Sequence, residues 1–137
     1  MAVPMKPTPT PDELSRPYWL AAAEDRLEIQ RCQQCGDYHH PPVAVCLNCL
    51  SEDLRYEPVS GRGVIYTYTV THDARNPAFA ALQPYAVVWV DLVEQARLRI
   101  VANMPDTPLE DVRVGADVEV YFEALDGGTK IPQFRLA

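Results

Sequence analysis

From residue 61 onward, apolar and polar positions alternate with a period of two. Val64, Tyr66, Tyr68 and Val70 fall on one face of a predicted strand, and Ile65, Thr67, Thr69 and Thr71 fall on the other. Residues that are β-branched or aromatic suit such a half-buried, pleated surface. A second strand is predicted over 85–92, and a third over 97–104 with Leu98, Ile100 and Ala102 facing inward. Glu94-Gln95 is the expected hairpin tip between them. Val118, Val120 and Phe122 alternate with Glu119, Tyr121 and Glu123 in a fourth strand, and Asp126-Gly127-Gly128 supplies the turn to a fifth over 131–136. Pro132 donates no ladder hydrogen bond, so this last strand is expected at an edge or a bulge.

The pattern before residue 61 is different. Prolines at positions 4, 7, 9 and 11 rule out a helix, so residues 1–15 read as an extended arm that orders only against something else. Pro17 suits a first helical turn, and Tyr18, Trp19, Leu20 and three alanines predict a short helix over 16–25. Leu27 and Ile29 alternate into Cys32 as a strand would, and Leu54 and Tyr56 mirror them after Cys49. The chain is thus expected to be mainly β, with an arm (1–15), a helix and small metal-stapled unit (16–58) and a five-stranded barrel of the OB type (59–137). Gly61 and Gly63, at the start of a first strand long enough to bend, favour the barrel over a sandwich fragment.

All four cysteines lie in two matched pairs, Cys32-x2-Cys35 and Cys46-x2-Cys49, with ten residues between. This spacing aims four thiolates at one point and predicts a rubredoxin-like zinc ribbon holding one structural zinc ion, with no position left open for water or substrate. Two disulfides would use the same residues, but residues 1–11 lack the apolar stretch of a secretion signal. A redox pair would stand alone beside a βαβ pattern. Gly36 follows the first pair and supplies left-handed backbone to its turn, whereas Leu50 follows the second, where strain is expected.

The chain has 137 residues, room for one modest core. A formal net charge of −7, with acids in excess in both halves, counts against nucleic acid. No apolar run approaches the ~18 residues of a membrane span. A soluble, cytoplasmic protein is expected.

Catalytic chemistry is poorly represented. With the thiols committed to metal, no cysteine nucleophile remains, and neither a phosphate-binding glycine loop nor Gly-x-Ser-x-Gly is present. His39 and His40 stand beside a complete sulfur set, so a solvated loop role is expected for both. His72, before Asp73, closes the first barrel strand where a barrel mouth meets partner or ligand, and a polar strand end explains it equally. Tyr66, Tyr68, Tyr85 and Trp89 resemble a stacking platform for single strands, but such platforms need a basic groove, so most of these rings are expected in core or interface. Tyr18 and Trp19, on a short helix, either anchor a partner or pack on the chain's own ribbon or barrel.

Several of these segments together resemble a known family. Arg31-Cys32-x2-Cys35-Gly36, Cys46-x2-Cys49, Ser60-Gly61-Arg62-Gly63-Val64-Ile65-Tyr66-Thr67-Tyr68-Thr69, Pro84-Tyr85, Val114-Gly115-Ala116-Asp117 and Ile131-Pro132-Gln133-Phe134 occur in that order. The chain is similar from Ser15 onward to the acyl-CoA-associated family that joins a rubredoxin-like zinc ribbon to an OB-fold, formerly a domain of unknown function. Val93-Glu94-Gln95-Ala96 departs from the Asp/Glu-Gly turn frequent there. The resemblance implies an accessory subunit, noncatalytic alone, of a thiolase-like enzyme of the lipid-transfer-protein type acting on acyl-CoA. It further implies a retro-aldol complex cleaving a steroid or related side-chain β-hydroxyacyl-CoA, with Arg62, Arg97 or Arg99 meeting CoA phosphates. A condensing thiolase or synthase partner, and a free-standing ligand or single-strand binding module, are the competing functions.

Overall fold

The computed structural model describes residues 5–137, so the first four residues of the expected arm lie outside the described residues. A short helix, α1 (Arg16–Ala23), leads into β1 (Glu28–Cys32), β2 (Tyr38–His39) and β3 (Leu54–Pro58), which form an antiparallel sheet in the order β2-β1-β3. The rest of the chain supplies β4 (Arg62–Thr71), a one-turn helix α2 (Pro77–Ala80), β5 (Tyr85–Leu92), β6 (Arg99–Asn103), β7 (Asp117–Ala124) and β8 (Lys130–Leu136). These five strands form one antiparallel sheet, β6-β5-β4-β7-β8, curled as an OB-type barrel. The two-residue β2 was not predicted, being too short to show a period.

Helix α1 stops two residues earlier than expected. Asp25 takes left-handed backbone (φ 61), and the N–H groups of Glu24 and Arg26 both bond the Ala21 carbonyl, which closes the last turn. The arm is held by the chain itself. Lys6 pairs with Glu123 at 2.7 Å, and the Tyr56 hydroxyl donates to the Leu14 carbonyl at 2.6 Å.

Strand β5 alternates as predicted, with Ala86, Val88, Val90 and Leu92 buried. In β4 the simple alternation fails. Ile65 pairs with Val90 and Thr67 with Trp89, so Tyr66 is an extra residue forming a β-bulge. The bulge flips the faces of the strand. Val64 and Tyr66 face outward, whereas Tyr68 and Val70, opposite Val88 and Ala86, lie on the inner side near the barrel rim. Gly63 permits the sharp curl that precedes it, since a Cβ there would come within 2.5 Å of the Asp91 carbonyl oxygen.

The small sheet does not depend on metal alone. Leu27 and Ile29 are buried in one cluster with Tyr18, Ile65, Val88, Ile100 and Phe134, so ribbon and barrel share a core. The β5–β6 turn adds a polar clamp. The Gln95 amide accepts from the Tyr38 N–H at 2.9 Å and donates to the Tyr38 carbonyl at 3.1 Å, while Glu94 accepts from the Ser60 N–H at 2.9 Å. The turn that departs from the family's usual pair is therefore the one that bolts the barrel to the ribbon.

Candidate metal centre

Each Cys-x2-Cys segment folds into the same turn, hydrogen bond for hydrogen bond. Gly36 N–H bonds the Cys32 carbonyl at 3.0 Å, as Leu50 N–H bonds Cys46, and Cys32 and Cys46 donate to the carbonyls of Asp37 (2.8 Å) and Ser51 (2.9 Å). The residue after each second cysteine is left-handed: Gly36 at φ 84 and Leu50 at φ 64. The strain expected at the second turn is thus located at Leu50, whose side chain is exposed and gains no burial in exchange.

The turns bring four sulfur atoms within 4.8 Å of one another. The Cys32–Cys49 and Cys35–Cys46 separations are both 3.6 Å. Four sulfurs at zinc–thiolate bond length around a tetrahedral ion stand about 3.8 Å apart, so the site fits one Zn²⁺. Backbone N–H groups face the sulfurs, from Cys35 to Cys32 (3.5 Å) and from Asn48 (3.4 Å) and Cys49 (3.5 Å) to Cys46. The Cys35 N–H chiefly draws the Cys32 thiol down to about 6. At Cys49 the Ser51 N–H acts downward, but burial and the other three sulfurs push the thiol up to about 12. Only a cation lets four such groups ionise together. When bound, the metal supplies a structural crosslink, because all four tetrahedral positions are taken by protein.

The ribbon histidines depart from the solvated role expected of them, His39 by being buried and His40 by being half-buried. His39 is buried, with Nε2 3.3 Å from the Cys46 sulfur, where it supports a ligand without being one. His40 stacks on Tyr18 at 5.2 Å, and burial lowers its pKa. The β1–β2 pairing that places His39 and leads into His40 spans two residues, too few to read from sequence.

The other residues singled out from sequence do not form one site. Tyr18 is buried in the shared core, which pushes its hydroxyl pKa up, whereas Trp19, edge-on to it at 4.9 Å, is only half-buried. Arg99 is already engaged, bonded to Asp91 at 2.8 Å and lying 3.7 Å over the Tyr66 ring. Arg62 and Arg97 are exposed, and a Val93 N–H bond to the Arg62 carbonyl brings β4 against the β5–β6 turn that carries Arg97. His72 is exposed beyond the opposite end of β4 from Arg62. Sequence reasoning missed the apolar tip of the second cysteine turn, where Val45, Leu47 and Leu50 are all exposed. Among the described residues, no helix is long and apolar enough to cross a membrane.

Comparison with known proteins adds to this geometry. Residues 19–55 match the rubredoxin-like zinc ribbon domain of ChsH2, and residues 56–123 match the ChsH2 C-terminal OB-fold domain. The solved "Ltp2-ChsH2(DUF35) aldolase" contains a chain that superposes with a TM-score of 0.84 at 32% identity, covering 93% of this chain and 98% of that one. A probable enoyl-CoA hydratase alpha subunit of Thermomonospora curvata is 36% identical over 121 residues, 88% of this chain and 37% of the relative. The benzoylsuccinyl-CoA thiolase subunit BbsA of Geobacter metallireducens is 29% identical over 94 residues, 69% of this chain and 60% of the relative. The chain therefore spans little over a third of the first curated relative and less than two thirds of the second.

Proposed function

Because the chain belongs to the ChsH2 family of zinc-ribbon and OB-fold proteins, we propose that it is the zinc-binding accessory subunit of a thiolase-fold enzyme acting on acyl-CoA thioesters. The observation that carries this reading is the match, at 32% identity and over 98% of the solved chain, to a component of an aldolase. The thiolase subunit BbsA supports the kind of partner. The described chain contributes a metal-stapled ribbon and a barrel, and the partner contributes the base.

The reaction we assign to the assembly is retro-aldol cleavage of a steroid or related side-chain β-hydroxyacyl-CoA. A base on the partner removes the β-hydroxyl proton, a carbonyl forms at the β-carbon as the Cα–Cβ bond breaks, and the bond's electron pair passes to the thioester α-carbon, which is then protonated. Arg62 and Arg97, exposed at one end of the barrel, are the arginines offered to CoA phosphates; Arg99 is held by Asp91. We place the assembly in the cytoplasm, a reading supported by thiols grouped for metal rather than for disulfides.

The test is recovery of the tagged chain from its own cell extract, with partners identified by mass spectrometry and zinc quantified in the same sample. A stoichiometric thiolase-like subunit and one zinc per chain are expected, and the pair should convert a β-hydroxyacyl-CoA into a shorter acyl-CoA and a carbonyl product. Zinc-loaded chain without such a subunit would refute the accessory reading. The Thermomonospora curvata relative favours a second reading, a hydratase partner. Hydration of an enoyl-CoA without carbon–carbon cleavage would select it.

A further inference from the structure

The outer edge of β6, one of the two edges of the barrel sheet, has no strand paired to it among the described residues. The Leu92 N–H bonds the Leu98 carbonyl at 2.8 Å, and the register continues through Val90↔Ile100 and Val88↔Ala102. In an antiparallel ladder this turns the main-chain groups of Ile100 and Ala102 toward β5, and those of Arg99, Val101 and Asn103 away from it. The Asn103 N–H is taken by the Gln133 side chain at 2.8 Å. Among the described residues no strand pairs with Arg99 or Val101 on that side.

Natural sheets blunt an open edge with proline, lysine, a bulge or a covering element. On the facing strand β8, Pro132 removes a donor and Gln133 reaches across. On β6 there is no proline and no bulge over Arg99–Asn103, the one charged side chain, Arg99, is turned to Asp91, and Val101 is 48% exposed. Two adjoining hollows, of about 430 and 540 Å³, meet along this edge and share His40, Pro41 and Val101. Trp19 and Pro132 wall the first, and Tyr66 and Trp89 floor the second. Unpaired N–H and C=O groups at strand spacing are complementary to one kind of occupant, an extended backbone.

We infer that the catalytic partner inserts an extended segment along β6, pairing its main chain with Arg99 and Val101 and seating an apolar side chain against Trp19 and Pro132. The inference rests on the accessory-subunit reading and specifies where that partner docks. The ribbon loop His40-Pro41 forms the far wall of the groove, so the zinc unit would shape the docking slot as well as stabilise the chain.

The test is hydrogen exchange at residues 99–103, measured on the free chain and on its complex with the thiolase-like subunit recovered by the tagged chain. The Arg99 and Val101 amides should exchange freely alone and at least tenfold more slowly in the complex. Val101→Pro removes an N–H that makes no bond among the described residues, so the variant should keep its zinc and melting temperature and bind the partner roughly tenfold or more weakly. A complex that leaves these amides unprotected overturns strand addition and leaves the accessory reading standing. Failure of the wild-type chain to bring down a thiolase-like subunit overturns both. Protection in the free chain that grows with its concentration would assign the edge to a second copy instead, and would also overturn the inference. If Val101→Pro does not fold, the exchange comparison on the wild-type chain decides alone.

Discussion

The Gln133 side-chain carbonyl accepts the Asn103 backbone N–H at 2.8 Å and thereby joins β8 to β6 where no strand pairing does so. Gln133 is 1% exposed and Asn103 half-buried beside the hollow along β6, so the bond lies at the edge of the core. Gln133→Met keeps the volume and removes the acceptor. It should cost about 1 kcal/mol of stability, the net contribution of one part-buried hydrogen bond. Denaturant unfolding measures it; a midpoint equal to wild type would mean that the bond does not close the barrel.

Removing zinc should unfold the ribbon. Cys46→Ser takes away a buried ligand that also receives the Asn48 and Cys49 N–H groups, so metal should be lost and melting lowered even with zinc in excess. His39→Phe spares all four sulfurs but deletes the contact to Cys46. Loss of such a supporting partner should weaken zinc binding by about tenfold or more, read by competition with a chelator.

Leu50→Gly should stabilise the chain by about 1 kcal/mol, because the second cysteine turn demands left-handed backbone from an exposed leucine. Gly36→Ala, at the equivalent position of the first turn, should destabilise it by a similar amount. Thermal melts of the two variants should move in opposite directions. A fall in stability for Leu50→Gly would show that the strain is relieved in some other way.

Burial against Tyr18 lowers the His40 pKa in the fold. A group whose folded pKa lies below its unfolded value contributes stability that is intact above about pH 6.5, the ordinary histidine value, and is lost as pH falls toward the folded pKa. The loss from this residue is at most about 1.4 kcal/mol per pH unit. His40→Phe keeps the stack and cannot charge, so its stability between pH 7.5 and 5.5, under saturating zinc, should fall less than that of wild type.

Much of this molecule was legible from local pattern, and for physical reasons. Two matched Cys-x2-Cys pairs encode a tetrahedral sulfur site within 18 residues, because the ligand geometry is set by short turns whose hydrogen bonds lie inside the motif. Strand β5 alternates strictly because its inner face meets the core along its whole length. The bulge at Tyr66 was hidden because one extra residue in β4 has meaning only against the register of β5. The placement of His39 and His40 was hidden because it depends on a two-residue strand and on where Tyr18 packs.

What the amino-acid sequence by itself determined, then, was the zinc site and the two-part, mainly β plan, since both arise from contacts close along the chain or from a repeating period. Only the tertiary structure decided the rest: that Leu27 and Ile29 of the ribbon enter the barrel core, that Gln95 clamps Tyr38 across 57 residues, and that Asp91 claims Arg99. The same holds for the open edge of β6, since an unpaired hydrogen-bonding group exists only once every other strand has found its place.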